Sequence, residues 1–178
     1  MKKMILSTAA LLSMTAALAF APASNWQIGS NYTVRFVGGG EVGGIFKTMK
    51  GNIMFDEQNA AASQFDLTIA VASINTGNGL MNTHAKGADW FDAGKYPDIH
   101  FVSKKVTKVG AGYQVTGVLE MHGVKKEMTL PFTFQNKGAS GVFAAKFNVN
   151  RSDFHIGKPG GEVDENIKLD LTVPVTKK

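Results

Sequence analysis

An apolar residue at every second position, repeated in stretch after stretch, constrains this chain more than any other feature. Phe65, Leu67, Ile69 and Val71 alternate with Gln64, Asp66, Thr68 and Ala70, and Ile167, Leu169, Leu171, Val173 and Val175 repeat the pattern near the end. Side chains of a strand point alternately to opposite faces, so a period of two marks strands with one apolar and one wetted face. Helical periodicity is nearly absent. The chain therefore predicts an all-β fold. With no catalytic signature laid over the pattern, it predicts a closed structure whose apolar interior is the working part.

The first residues read differently. Lys2 and Lys3 precede a run from Met4 to Phe20 that is apolar or small throughout, the pattern of a secretory signal peptide. Ala21-Pro22-Ala23 puts small residues at the two positions a signal peptidase reads, and a cut after Ala21 would leave Pro22 just beyond it, so cleavage is expected before Ser24. The run is short for a bilayer span of ~20 residues. Cysteine is absent, which removes both a lipid-modified cysteine and disulfides. The expectation is a leader over 1–23 and one exported domain over 24–178, large enough to bury a core without covalent staples. Loss of Lys2 and Lys3 lowers the formal charge from +5 to +3. Lys125, Lys126, Lys177 and Lys178 carry part of this excess and read first as solvated surface. Nucleic acid would need a denser basic stripe with interleaved aromatics and is excluded as a partner. Transient contact with a membrane surface is compatible with the charge.

Eight strand candidates follow along the chain: Trp26 to Val37, Ile45 to Phe55, Gln64 to Ile74, Ile99 to Val109, Tyr113 to Met121, Met128 to Phe134, Phe143 to Val149, and Ile167 to Val175. The stretch from Asn78 to Asp92 breaks the alternation and is the one helical insertion, followed by the turn Lys95-Tyr96-Pro97-Asp98; His122-Gly123 is a tight turn. Short connections imply antiparallel neighbours, and strands in this number close into a barrel with no exposed edge. Such a barrel either fills itself with side chains or holds a small ligand. Abundant Phe, Ile, Leu and Met on the apolar parity, with Gly51, Gly117 and Ala145 leaving room beside the rings, serve either outcome.

Motifs add what periodicity leaves open. Gly44-Ile45-Phe46, Gly51-Asn52-Ile53-Met54-Phe55-Asp56, Ala72-Ser73-Ile74-Asn75-Thr76-Gly77, Ala88-Asp89-Trp90-Phe91-Asp92, Tyr96-Pro97, Phe101-Val102-Ser103, the run from Gly117 to Lys126, and Asn150-Arg151-Ser152-Asp153-Phe154-His155-Ile156-Gly157 follow one another in an order that resembles the YceI-like family of polyisoprenoid-binding proteins. The resemblance covers roughly Trp26 to Val175. It implies an eight-stranded antiparallel, lipocalin-like barrel with a short helical insertion, a periplasmic location, and a long isoprenoid or other amphiphilic lipid in the lumen. It also implies a homodimer. No cofactor is implied beyond that lipid.

The chain departs from the family pattern at polar positions. Tyr32-Thr33 stands where the family often has His-Ser, Met81-Asn82 stands for Arg-Asp ahead of His84, and a further family histidine is missing around Gly38-Gly39-Gly40-Glu41. Fewer groups are left to bind a charged head, so a quinone, a fatty amide or another weakly polar lipid fits at least as well as a polyprenyl phosphate. Parity and the family motifs together select Phe36, Phe46, Ile53, Phe55, Phe101, Leu119, Met121, Phe132, Phe134 and Phe147 for the lumen, and Leu80, Met81, Trp90 and Phe91 for a mouth gated by the segment 78–92. Packing a helix onto a barrel end would use the same mouth residues.

No catalytic residue and no metal ligand is assigned. His84, His100, His122 and His155 lack the short spacings of zinc sites. By the resemblance, Arg151 and Asp153 form a structural polar contact at a barrel end. Gly38 to Gly43 matches a dinucleotide fingerprint literally but sits between two strands, so it reads as a hairpin loop. The chain is read as a carrier or sequestering protein for an amphiphilic lipid, not an enzyme. The alternatives are an enzyme acting on a small hydrophobic substrate, with His84, Tyr32 and Arg151 as its polar groups, and a filled barrel serving as a partner within an envelope complex.

Overall fold

The structure is a computed structural model that describes residues 23–178. The expected leader, residues 1–23, lies outside the described residues except for Ala23. In chain order the strands are β1 (Ser24–Ile28), β2 (Thr33–Val37), β3 (Gly43–Phe46), β4 (Met49–Phe55), β5 (Gln64–Ala70), β6 (Ile74–Asn75), β7 (Asp98–Val109), β8 (Gly112–Met121), β9 (Val124–Lys137), β10 (Ser140–Asn150) and β11 (Asn166–Lys177), with one α-helix, α1 (Gly79–Lys86), between β6 and β7. Eight of these strands form a closed ring in the order β1, β4, β5, β7, β8, β9, β10, β11. The ring shuts where Trp26 to Ile28 pair with Val175 to Lys177. β2, β3 and β6 continue from β11 at one end, and every pairing is antiparallel. The expected all-β barrel with a short helical insertion is the fold observed.

Three expected strands are each cut in two, and the cuts share one level of the wall. The chain breaks at Gly29 to Tyr32, at Lys47 and Thr48, and at Val71 to Ser73. Gly29-Ser30-Asn31 is a run of turn formers. Across the cut, β1 pairs with β4 and the far end of β11, whereas β2 pairs with β3 and the middle of β11. Side chains replace the missing ladder: the Tyr32 hydroxyl donates to the Lys47 carbonyl at 2.8 Å and accepts from the Met49 amide at 2.7 Å, while Ser73 Oγ accepts from the Thr48 amide at 3.0 Å. Tyr32→Phe removes both bonds; the exposed Lys47 carbonyl can take water in place of the hydroxyl while the part-buried Met49 amide cannot do so as readily, a loss of about 0.5–1.5 kcal/mol. A urea midpoint lowered at unchanged m-value is the expected result.

The inward face divides along its length. At the end holding the β7–β8 and β9–β10 turns, aromatic rings fill the barrel. Phe55, 1% exposed, meets Tyr113, Phe132, Phe134 and Phe143 at centroid distances of 5.0, 5.7, 5.1 and 5.2 Å, and Phe65 at 6.2 Å. Trp26 closes this end, with its indole N–H on the Phe55 carbonyl at 3.2 Å. Strand glycines make space for the rings: a Cβ on Gly117 would lie 2.6 Å from Phe101 Cζ, and one on Gly141 would lie 2.4 Å from Phe134 Cζ.

Burial of Tyr113, with Glu57 and Asp56 near its hydroxyl, pushes the phenol above its usual value. The unfolded chain therefore loses this proton first as pH rises past about 10, and the stability held below that pH drains away through the folded value. Alkaline titration should show the loss beginning near pH 10 in the natural chain, with this part of it absent in Tyr113→Phe.

Candidate functional site

At the opposite end the same inward faces surround an open cavity of about 380 Å³. β2 contributes Val34 and Phe36, β3 Phe46, β5 Ile69, β8 Leu119 and Met121, β10 Phe147 and Val149, and β11 Ile167, Leu169 and Leu171. Phe36, Phe46 and Phe91 follow one another around the wall at 5.5 and 6.0 Å. The lining is almost wholly apolar. Its polar members are Thr76, His84, Arg151 and Glu162.

Helix α1 forms one side of the mouth. Asn78 caps it, accepting from the Leu80 and Met81 amides at 2.9 and 3.1 Å. Asn82 Oδ1 ties it back to Thr76 through the amide at 2.8 Å and the hydroxyl at 2.9 Å. Met81, His84 and Ala85 stand at helical spacing on one face and line the cavity. After the helix the chain turns to bring Trp90 and Phe91 against the same space.

The other side of the mouth is the loop between β10 and β11, held by Arg151. This guanidinium is 3% exposed and meets no carboxylate within salt-bridge distance among the described residues. It donates from Nε to the Asp164 carbonyl at 3.1 Å, from Nη1 to Ile156 and Lys158 at 2.8 and 3.0 Å, and from Nη2 to Val163 and Gly160 at 2.9 and 3.4 Å. Trp90 lies over it at 5.3 Å, and the Gly157 amide donates to the Asp89 carbonyl at 3.0 Å, so loop and helical segment are fastened together. The expected Arg151 contact with Asp153 does not form. Asp153 pairs with Lys126 at 2.8 Å, because the guanidinium turns inward to the loop carbonyls.

Eight of the residues expected at the lumen or mouth line this cavity: Phe36, Phe46, Met81, Trp90, Phe91, Leu119, Met121 and Phe147. Six do not. Ile53, Phe55, Phe132 and Phe134 point inward but sit with the packed rings rather than on the cavity, and Phe101, paired with Leu119 of the cavity wall, turns its ring toward Gly117 instead. Leu80 lies off the cavity-facing side of α1 and is 66% exposed. The β11 residues Ile167, Leu169 and Leu171, together with Ile69, also line the cavity; alternation places them on the inward parity, and nothing further in the sequence distinguishes them.

The remaining polar candidates are dispersed. Tyr32 is consumed by the backbone of the strand break. His100 pairs with Asp66 at 2.7 Å on the outer wall, and His122 Nδ1 meets the Phe154 carbonyl at 3.1 Å. The glycine stretch after β2 is a hairpin turn, with Gly39 and Gly40 at φ 89° and 49°.

A family model described as the YceI-like domain matches residues 23–175. Among relatives, the protein YceI of Escherichia coli O17:K52:H18 is 30% identical over 149 residues, spanning 80% of this chain and 78% of the relative. Among solved structures, BcnA of Burkholderia cenocepacia superposes with a TM-score of 0.77 at 30% identity, covering 82% of this chain and 96% of that one. A polyisoprenoid binding domain from Saccharophagus degradans shares the fold, with a TM-score of 0.69 at 14% identity, over 88% of this chain and 99% of its own.

Proposed function

The chain belongs to the YceI-like domain family, and from that premise we propose that it binds an amphiphilic lipid in its half-open barrel and carries or sequesters that lipid in the periplasm after loss of the leader over 1–23. The observation that carries the reading is the division of the interior. One half is filled with interlocked rings, while the other encloses about 380 Å³ of apolar space that opens at the mouth. A volume of this size with apolar walls and few polar groups suits a hydrophobic ligand. The barrel fold is shared with a domain from Saccharophagus degradans described as polyisoprenoid-binding, which favours an isoprenoid or a similar chain. Binding is favoured over turnover because Tyr32 and Arg151 are both committed to backbone groups, leaving His84 as the one freely placed polar group of the three an enzyme would have used.

Water is the wrong reference for such a ligand. Each methylene moved out of water gains ~0.8 kcal/mol, but a lipid arriving from a bilayer is already in apolar surroundings. Capture then depends on fit, on contacts at the polar end and on exclusion of water. Exchange passes the mouth, where the segment 78–92 and the Arg151 loop face each other.

Solvent extraction and mass spectrometry of the protein recovered from the exported fraction without detergent should yield a stoichiometric lipid. A protein that is empty and stays empty when offered isoprenoids and fatty amides would defeat the reading. In parallel, Leu169→Trp puts a larger ring on the cavity wall; small-to-large changes typically cost about 1–3 kcal/mol in a packed core, and the open space beside Leu169 should keep the loss at the low end of that range. Affinity for a hydrophobic fluorescent probe should fall by roughly a hundredfold, the equivalent of two factors of ten at 1.4 kcal/mol each.

A further inference from the structure

We infer that this cavity accepts amphiphiles whose polar end is uncharged and turns away those ending in a carboxylate or a phosphate. The inference rests on the lipid-binding reading of the same cavity and specifies the head group. An anionic head needs a cation with free donors, and the one permanently charged cation on the cavity wall is Arg151. A guanidinium carries five N–H groups, and all of them here are directed at the carbonyls of the β10–β11 loop. Trp90 covers its face. Its charge is offset by carbonyl dipoles rather than by a counter-ion, so an arriving anion finds no N–H to accept from without dismantling the loop.

On the loop side of the mouth carboxylates outnumber cations. Glu162 borders the cavity, Asp164 and Glu165 follow on the same loop, and Glu41 sits on the β2–β3 hairpin, against Lys158 on the loop, while the α1 side carries Lys86 in its last turn. None of these carboxylates makes an ion pair among the described residues. The Asp164 amide donates to the Gly38 carbonyl at 2.6 Å, which brings loop and hairpin together at the opening. A negative head there meets like charge beside apolar walls, where Coulomb terms exceed their value in bulk water. A hydroxyl, amide or carbonyl head meets no such penalty and finds the imidazole of His84 on the wall.

The test is displacement of N-phenyl-1-naphthylamine, a neutral apolar fluorophore, by dodecanol and by dodecanoate at about pH 8, where the carboxylate is ionised. Dodecanol should bind roughly tenfold or more tightly at low salt, and the gap should narrow as salt screens the rim. The double variant E162Q/D164N should narrow it as well. Dodecanoate binding as well as dodecanol would overturn the inference while leaving lipid binding intact. So would a preference that neither salt nor the double variant alters. Failure of the fluorophore and of both displacers to bind would instead remove the lipid-binding reading itself.

Discussion

Phe55→Ala is expected to cost about 3–5 kcal/mol of stability, the range for deleting a buried aromatic ring from a core that cannot collapse around the void. Phe55 is 1% exposed and meets five other rings at 6.2 Å or less. Four of these contacts have interplanar angles of 67° to 87°, the edge-to-face geometry that aromatic pairs favour. The closed wall of backbone hydrogen bonds around them cannot move inward to fill the gap. Thermal and urea unfolding should report the loss, while a hydrophobic probe should bind with its affinity within about twofold, since a change under ~0.4 kcal/mol is all that reaches a site in the other half of the barrel. Phe147→Ala should behave in the opposite way. That ring borders open space and is only half-buried, so it costs less stability and changes probe binding more. Stability retained by Phe55→Ala, with probe binding lost, would mean that the ring cluster opens to admit ligand.

The contrast between Phe55 and Phe147 also shows where reading the sequence stops. Alternation identifies the inward face of the strands, and only β7 departs from it, where a bulge between Ser103 and Lys105 moves the buried parity from Phe101 to Val106. It says nothing about height along the barrel axis. Phe143 and Phe147 share one face of β10, four residues and therefore about 13 Å apart, yet one lies among the packed rings and the other on the cavity wall. Height follows from register against neighbouring turns: Phe143 pairs with Phe134 near the β9–β10 turn, whereas Phe147 pairs with Leu169, deeper toward the mouth. The strand breaks escaped because a tyrosine hydroxyl and a serine hydroxyl stand in for ladder bonds from positions far away in sequence. Leu80 was within reach of simple geometry. Once Asn78 is taken as the cap, Met81, His84 and Ala85 define the inward helix face and Leu80 falls outside it. The partners of Arg151 were not within reach, because nothing in a sequence motif distinguishes a carboxylate partner from carbonyls of a loop that has yet to fold.

Arg151→Met should release the loop it organises. The side chain lost holds five backbone carbonyls spread over Ile156 to Asp164, and hydrogen bonds to charged groups contribute about 1.5–3 kcal/mol each. The full sum is not expected, because the loop can rehydrate once it comes away from the barrel. The expected result is a global loss of about 2–4 kcal/mol, comparable to breaking one or two such bonds. Hydrogen-exchange protection should disappear from residues 156–165, and Trp90 fluorescence should change as its cation leaves. With the mouth loosened, ligand should dissociate faster. Arg151→Lys separates this role from that of a head-group receptor. An ammonium keeps the charge but has three donors and no planar fork, so it can satisfy only part of the loop. A holder of the loop loses most of its effect in the lysine variant, with protection of residues 156–165 still reduced. A receptor for an anionic head would instead be rescued by lysine, and an anionic ligand bound normally by Arg151→Lys would reassign this residue from shaping the mouth to contacting what passes through it.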